Sequence, residues 1–193
     1  LQVLPRIPAA GATRRALAAQ TVAVLSAAFH GPDPFAVASG IHARYLPTGK
    51  FYAGFARGKT TMDPAFWAAW ERLTREGLVL DVGCGEGLLG AFLRECGSGV
   101  ELWGVDIDPA RLGRAQATAA PGWSFRVGDV RTVALPSGAA AVVCLDVLHY
   151  LSPPEPEALL TKMGAALRPG GVLLVRELEP GRGLASVWTA MTE

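Results

Sequence analysis

Residues 78–87 read Leu-Val-Leu-Asp-Val-Gly-Cys-Gly-Glu-Gly, and the rest of the chain is interpreted from this stretch. An apolar run ends in Asp81, glycines follow at alternate positions, and a helical pattern begins after them. The pattern predicts a buried strand, a tight glycine turn and the N-terminus of a helix. Glycines let the backbone approach a ligand closely, and the first N–H groups of a helix have no partner within it. Asp81 can accept a hydrogen bond from a cationic amine, so the stretch suits a zwitterion such as an amino acid.

Strands and helices alternate over the hundred residues that begin with this stretch. Apolar runs predict strands at about 78–82, 100–105, 123–127, 140–145 and 171–177. The stretches between them predict helices at about 87–96, 109–119 and 154–167. Apolar strands that alternate with helices indicate a parallel sheet covered by helices on both faces. We therefore predict an α/β, Rossmann-like fold.

The chain divides into a helical segment with a lid, residues 1–76, and a sheet domain, residues 77–193. Before the sheet we expect helices at about 14–29, 34–45 and 64–75, the first capped by Thr13 and the last by Asp63. Residues 46–62 interleave aromatic and basic side chains. Two interpretations of this segment stay open. It is either a lid that contacts the substrate or a glycine-rich surface connection whose aromatics are anchored in the core.

Acidic residues follow the predicted strands. Ligands of open α/β sheets bind beyond the carboxyl ends of the strands. The acids at four of these ends are Asp81, Asp106, Asp129 and Asp146. Asp106 can accept both hydroxyls of a ribose, because a carboxylate accepts two hydrogen bonds side by side. Ile107 can pack on an adenine ring, and Asp129 can accept a hydrogen bond from the adenine amino group.

Over about residues 78–177 the chain resembles the class I S-adenosylmethionine (SAM)-dependent methyltransferases. Leu-Asp-Val-Gly-Cys-Gly-Glu-Gly is similar to motif I of that family, Gly-Val-Asp-Ile-Asp to the segment with the ribose acid, and Gly-Asp-Val to the adenine-contacting motif. The later segments Val-Val-Cys-Leu-Asp-Val-Leu-His-Tyr-Leu and Leu-Arg-Pro-Gly-Gly-Val-Leu-Leu-Val are similar to its strand-4 motif and its turn into strand 5. The resemblance implies methyl transfer with SAM as cofactor. The contacts it implies are Asp81, Gly83, Cys84, Gly85, Asp106, Ile107, Asp129, Val130 and Asp146.

The sequence indicates the residues that bind the methyl acceptor less specifically than those that bind the cofactor. Residues 55–64 and 145–151 resemble methyltransferases found with aryl-polyene pigment biosynthesis, which implies an aromatic or carrier-bound acceptor in bacterial small-molecule biosynthesis. His149 is the candidate general base, because its pKa range suits that role; the alternative is that it packs in the loop. The candidate acceptor-binding residues are Tyr52, Arg57, Lys59 and Tyr150.

Charge and composition limit the classes of partner that we expect for this chain. The net charge is +1 and no basic block is present, so electrostatics give no argument for nucleic acid or an anionic membrane. The apolar run after Arg14 and Arg15 is too short for a membrane span. Three cysteines without Cys-x-x-Cys spacing argue against a zinc site and for free thiols in a reducing compartment. We expect a cytoplasmic protein with no metal, a small-molecule or carrier-bound substrate, and a homodimer.

Two other functions remain open. Residues 85–90 also fit Gly-x-Gly-x-x-Gly, the pattern of NAD(P)-binding oxidoreductases, although Asp81 stands where a methyltransferase places its acid. The other alternative is a SAM-binding domain without catalysis. It is favoured by the 16 residues after Glu177, for which we expect a loop and a helix. The family's antiparallel C-terminal strand pair is then missing, through truncation or because a partner covers that edge.

Overall fold

The computed structural model describes residues 11, 13–17, 20, 31–178 and 186–192. Residues 14–17 and 20 are helical, and the Thr13 hydroxyl accepts the N–H of Ala16 at 3.2 Å, as expected of a helix cap. The remainder of the helix predicted at 14–29 lies outside the described residues. Across the described part of the chain, no helix is both long and apolar enough to span a bilayer.

Between residue 31 and the sheet the structure describes three helices, α1 (Pro34–Tyr45), α2 (Lys50–Met62) and α3 (Pro64–Arg72), with a short 3₁₀ turn, Leu46–Thr48, between the first two. The capping of α1 and α3 follows the sequence. Asp33 accepts the N–H of Phe35, and Asp63 accepts that of Ala65, both at 2.9 Å. A proline fills the first position of each helix, where no N–H is needed.

Helix α2 corrects one interpretation of residues 46–62. A glycine-rich connection with core-anchored aromatics is wrong, because residues 50–62 are helical and Phe51 and Phe55 are exposed. The buried face of α2 consists of Ala53, Ala56 and Thr60, three small side chains that let the helix lie close to its neighbours. This packing offsets the cost of two glycines inside the helix, about 1 kcal/mol each relative to alanine.

Within the described residues the sheet has six strands in the order β3-β2-β1-β4-β5-β6. The strands are β1 (Leu78–Val82), β2 (Glu101–Asp106), β3 (Trp123–Val127), β4 (Ala139–Leu145), β5 (Leu167–Leu178) and β6 (Ser186–Thr192). The helices between them are α4 (Leu88–Glu95), α5 (Pro109–Ala117) and α6 (Glu155–Ala166). Strands β1 to β5 pair in parallel. The predicted parallel sheet is therefore confirmed.

The C-terminal strand corrects a second expectation. The helix expected after Glu177 is wrong for residues 186–192, which form β6 and pair antiparallel to β5, with Val172 opposite Thr192. Strand-favouring Val, Trp and Thr residues occur in this segment, and the edge of β5 offers backbone groups that need partners. One antiparallel strand at this edge is thus present in the described part of the chain.

Two hydrophobic clusters cover the two faces of the sheet. On one face Val79 packs with residues of helices α1 to α4, among them Ile41, Phe66 and Phe92. On the other face Leu80 packs with residues of α6, including Met163. Neighbouring residues of β1 thus point to opposite faces, as the alternation of a strand requires. The carboxyl ends of the strands are left as the place where α2, α3 and the glycine turn meet.

Candidate active site

A cleft of about 100 Å³ opens at the carboxyl end of β1. It brings together six of the predicted site residues, namely Lys59, Asp81, Gly83, Cys84, Gly85 and Asp146. Phe66, Leu89 and Leu145 supply apolar walls. A second cavity, of about 850 Å³, lies between α6 and the start of β5. It is at the amino end of the strands, away from these residues, so we assign the site to the smaller cleft.

The glycine turn is fixed by its backbone. The N–H groups of Gly83 and Cys84 both donate to the carbonyl of Val105, at 2.8 and 3.0 Å. Gly83 has a φ of +79°, and a Cβ at this position would lie 2.3 Å from Cγ2 of Val147. A side chain is therefore excluded by conformation and by space. The turn is held against β2 with its outer backbone open to the cleft.

Asp106 is buried beside this turn. Its Oδ2 accepts the N–H of Gly85 at 2.8 Å, and its Oδ1 accepts the N–H of Asp108 at 2.9 Å. Each oxygen keeps a second lone pair. The carboxylate is thus held in one orientation and can still accept two hydroxyls. Ile107, the next residue, is largely exposed. Its apolar surface is therefore accessible to a flat ring such as adenine.

Asp81 carries the strongest indication of a ligand. The residue is only 4% exposed, and no hydrogen bond to its carboxylate is found among the described residues. Burial, reinforced by the negative charge of Asp106, raises its pKa from 3.8 to about 7. A buried acid without a donor is unfavourable on its own. A cationic group in the cleft would provide the missing partner, so the donor set fits a zwitterion with a ribose.

The residues after β3 are engaged within the chain. The guanidinium of Arg131 binds both oxygens of Asp129 and lowers the pKa of that carboxyl to about 2. The carbonyl of Val130 accepts Nζ of Lys162 at 2.9 Å. Neither Asp129 nor Val130 is part of the enclosed cleft. A contact of either residue with adenine would therefore share groups that already have partners.

The prediction from sequence missed Arg176, a buried cation that lines the cleft. It pairs with Asp63, the cap of α3, and with Asp146, whose Oδ1 accepts Nε at 2.8 Å. Lys59 in turn pairs with Asp63 at 2.8 Å. Burial alone would raise the pKa of Asp63, but hydrogen bonds from Arg176 and Lys59 hold it below its ordinary value. An arginine directly after the apolar run at 172–175 is the signal that could have revealed this network.

Asp146 itself adopts an unusual backbone conformation. Its φ is +58°, the only positive value at a non-glycine residue in the described part of the chain. Aspartate tolerates this region better than most residues, yet it still costs energy and such sites are often functional. The ion pair with Arg176 holds the carboxylate at the cleft and compensates for this cost.

Tyr52 and Arg57 lie outside the cleft lining. The ring of Tyr52 stacks under the guanidinium of Arg114, 4.2 Å from its centroid, and Arg114 pairs with Glu86 at 3.0 Å. Tyr45, which the sequence did not indicate, donates its hydroxyl to the carbonyl of Glu86 at 2.7 Å. Tyr45 thus joins α1 to the glycine turn directly, and Tyr52 joins α2 to it through Arg114 and Glu86.

His149 and Tyr150 form a separate group in a 3₁₀ turn after β4. Nδ1 of His149 lies 2.7 Å from Oε1 of Glu177, and its backbone N–H donates to Oε2 at 3.0 Å. The rings of His149 and Tyr150 are 4.0 Å apart, and Tyr150 is mostly exposed. This group stands at the carboxyl ends of β4 and β5, but neither side chain belongs to the cleft lining.

Comparison with known proteins gives a consistent result. A family model described as a methyltransferase domain matches residues 79–171. An uncharacterized methyltransferase of Mycobacterium bovis is 41% identical over 101 residues, which is 50% of this chain and 48% of that protein. The SAM-bound amino pentose methyltransferase of Micromonospora echinaspora is 32% identical, with a TM-score of 0.52 over 69% of this chain and 58% of that one. A TehB-like SAM-dependent methyltransferase of Corynebacterium glutamicum shares the fold at 23% identity, with a TM-score of 0.57 over 70% and 75% of the two chains.

The family model is confined to the sheet region. The chain spans less than half the length of the curated relatives that it matches. The matched part contains the glycine turn and the acids after β1 to β4. Residues 34–73, which provide Lys59 and Phe66 to the cleft, lie outside it.

Proposed function

We propose that this chain, which carries a class I SAM-dependent methyltransferase domain, transfers a methyl group from SAM to a small-molecule acceptor. The family match and the relatives confirm the identification from sequence, together with the α/β fold and SAM as cofactor. The observation that carries the proposal is the buried Asp81 without a donor, beside a glycine turn and an oriented Asp106. Asp81 provides an acceptor for a cation in the cleft, and Asp106, which is bonded to the turn beside the cleft, provides an acceptor for a diol.

The residues of the cleft and of the turn beside it would hold different parts of the cofactor. Asp81 would hold its amino group, Asp106 its ribose hydroxyls, and the turn at Gly83 and Gly85 would let its chain pass close to the backbone. The volume of this open cleft, about 100 Å³, suits the amino-acid end of the cofactor better than a whole nucleoside, since pockets for drug-sized ligands usually exceed about 300 Å³. When bound, SAM supplies an activated methyl group on a sulfonium.

We assign the acceptor side to Lys59. Its side chain lies at the cleft and is 40% exposed, so its ammonium can pair with an acidic group of the acceptor. Arg57 and Tyr150 are exposed outside the cleft lining and are second candidates for acceptor contact. An aromatic acid is the acceptor that we propose, and a carrier-bound acyl group is the alternative form.

His149 is the proposed general base for an acceptor hydroxyl. In the tautomer that carries its proton on Nδ1, the ring donates to Glu177 and keeps Nε2 as an acceptor nitrogen. Glu177 receives two hydrogen bonds from this residue and so limits the movement of the ring.

The cysteines support the cytoplasm as the proposed compartment. Cys84, Cys96 and Cys144 are free thiols and all three are buried, as is typical of proteins in a reducing environment.

The test is a calorimetric titration with S-adenosylhomocysteine, with NAD in parallel. We expect micromolar binding of S-adenosylhomocysteine and none of NAD. Asp106→Ala should weaken it by about two orders of magnitude, since two hydrogen bonds to a charged group are lost. Glu101→Ala, at the exposed amino end of the same strand, is the matched control and should bind normally.

Each other result has a defined meaning. Binding of NAD would move the assignment to an oxidoreductase and to the glycines at 85, 87 and 90. Binding of S-adenosylhomocysteine without methylation of any compound in a panel of phenols and aromatic acids would favour a non-catalytic SAM-binding domain. Equal loss in Asp106→Ala and Glu101→Ala would refute the assigned ribose contact.

A further inference from the structure

Helix α2 carries a stripe of exposed apolar side chains. Phe51, Phe55 and Met62 are 77%, 44% and 83% exposed, and their spacing of four and seven residues places them on one side of the helix. The buried residues of α2, Ala53 and Ala56 among them, lie on the opposite side. The stripe therefore faces away from the body of the protein, and it cannot line the cleft beneath α2.

Cations flank this stripe on both sides. Lys50 and Arg57, seven residues apart, lie along one flank, and Lys59 lies along the other. The helix contains no acidic residue. Lys59 pairs with Asp63, whereas neither Lys50 nor Arg57 has an acid within ion-pair distance among the described residues. The net charge of +1 for the whole chain conceals this local excess.

We propose that α2 docks on the surface of an anionic lipid bilayer. Exposed aromatic side chains between lysines and arginines are the pattern of a helix that lies in the membrane interface, with the apolar stripe inserted and the cations at the headgroups. A second copy of α2 is the less suitable occupant, because it would bring Lys50 and Arg57 of both copies together without an acid on either helix between them. The surface does not depend on methyl transfer, so it can be tested separately.

The experiment is co-sedimentation of the purified chain with phosphatidylcholine vesicles that either contain or lack phosphatidylglycerol. We expect binding to the anionic vesicles only. Phe51→Ser combined with Phe55→Ser should weaken it by at least about tenfold, since two inserted rings are lost. Lys50→Gln combined with Arg57→Gln should weaken it by about 25-fold, at about fivefold for each cation.

Matched controls separate the stripe from general surface effects. Phe35→Ser changes another exposed phenylalanine, on α1, and Arg126→Gln changes an exposed arginine on the edge strand β3. Both should bind vesicles as the unchanged chain does, and all variants should keep the same circular dichroism spectrum.

Three results would overturn the proposal. The first is absence of binding, or equal binding to both kinds of vesicle. The second is that the controls lose as much affinity as the stripe variants. The third is a dimer in sedimentation equilibrium that Phe51→Ser dissociates, since the stripe would then be the interface between two copies of the chain.

Discussion

Asp81 is the residue at which folding and ligand binding conflict. Its pKa of about 7 lies well above the ordinary 3.8, mainly because the carboxyl is buried. Between these two pH values the folded protein holds a proton that the unfolded chain has lost. Raising the pH through this window therefore lowers the free energy of unfolding, and above about pH 7 the full cost of the buried charge is present.

Asp81→Asn should remove this cost. We expect the variant to match the unchanged protein near pH 4 and to exceed its free energy of unfolding by about 2–4 kcal/mol at pH 8, from roughly three pKa units at 1.36 kcal/mol each. Urea unfolding at the two pH values measures the difference. The same variant should bind S-adenosylhomocysteine more weakly, because an amide cannot balance an ammonium charge.

Asp108→Asn is the control of opposite sign. This exposed acid caps α5, and hydrogen bonds from the backbone N–H groups of Arg111 and Ala110 lower its pKa. Its carboxylate stabilises the fold above the ordinary pKa and loses this effect as the pH falls, so the substitution should destabilise the protein at pH 8. A gain in stability at pH 8 for both variants would contradict the role given to burial of Asp81.

At the scale of elements, Arg176 joins three parts of the fold. It projects from β5 to Asp63 at the start of α3 and to Asp146 after β4. Arg176→Ala leaves Asp146 without this cation and Asp63 with Lys59 alone. We expect a loss of about 3 kcal/mol in the free energy of unfolding, at the low end for a broken buried pair because Asp146 is partly exposed. Arg168→Ala, an exposed arginine of the same strand, should cost less than about 0.5 kcal/mol. Similar losses for the two variants would mean that the network contributes no specific stability.

The second prediction at this scale concerns two glycines that lie within helices. A Cβ at Gly54 in α2 would meet nothing within 4 Å, whereas a Cβ at Gly90 in α4 would lie 2.5 Å from Cδ2 of Leu102. Gly54→Ala should therefore stabilise the protein by about 0.5–1 kcal/mol through helix propensity. Gly90→Ala should destabilise it by about 1–3 kcal/mol through overpacking. Thermal denaturation of both variants gives the two signs, and the same sign for both would contradict the packing described for α4.

The elements also show what the sequence could predict. Strand β1, the glycine turn and the acids after the strands were placed correctly, because parallel apolar strands bring their carboxyl ends to one edge. Helix α2 was not predicted, because Gly54 and Gly58 lower its intrinsic propensity and its stability comes from close packing of Ala53 and Ala56. The pairing of Arg176 with Asp63 joins residues 113 positions apart. Such a contact depends on the position of α3 over the sheet, which no local pattern contains.

At the scale of the whole molecule, the helices before the sheet share its core. Ile41, Phe66 and Ala56 pack in one cluster with Val79 and Phe92 of the sheet region. The hydrophobic core thus continues across the boundary that the sequence predicts at residue 76. We infer that residues 34–178 unfold as one cooperative unit, since removing α1 to α3 would expose one face of the sheet to water.

Three buried thiols can test this inference. Cys96 belongs to the cluster that includes α1 to α3, Cys144 to the cluster on the opposite face, and Cys84 is part of the glycine turn and packs on α5. Burial raises the pKa of all three, that of Cys96 to about 12, so alkylation requires exposure of the thiol and its ionisation. Pulse labelling with iodoacetamide in increasing urea, followed by mass spectrometry, should show the three cysteines reacting together at a single midpoint. If Cys96 reacted before Cys144, α1 to α3 would detach while the rest of the sheet stayed folded. Residues 1–76 would then be a separate unit that opens by itself.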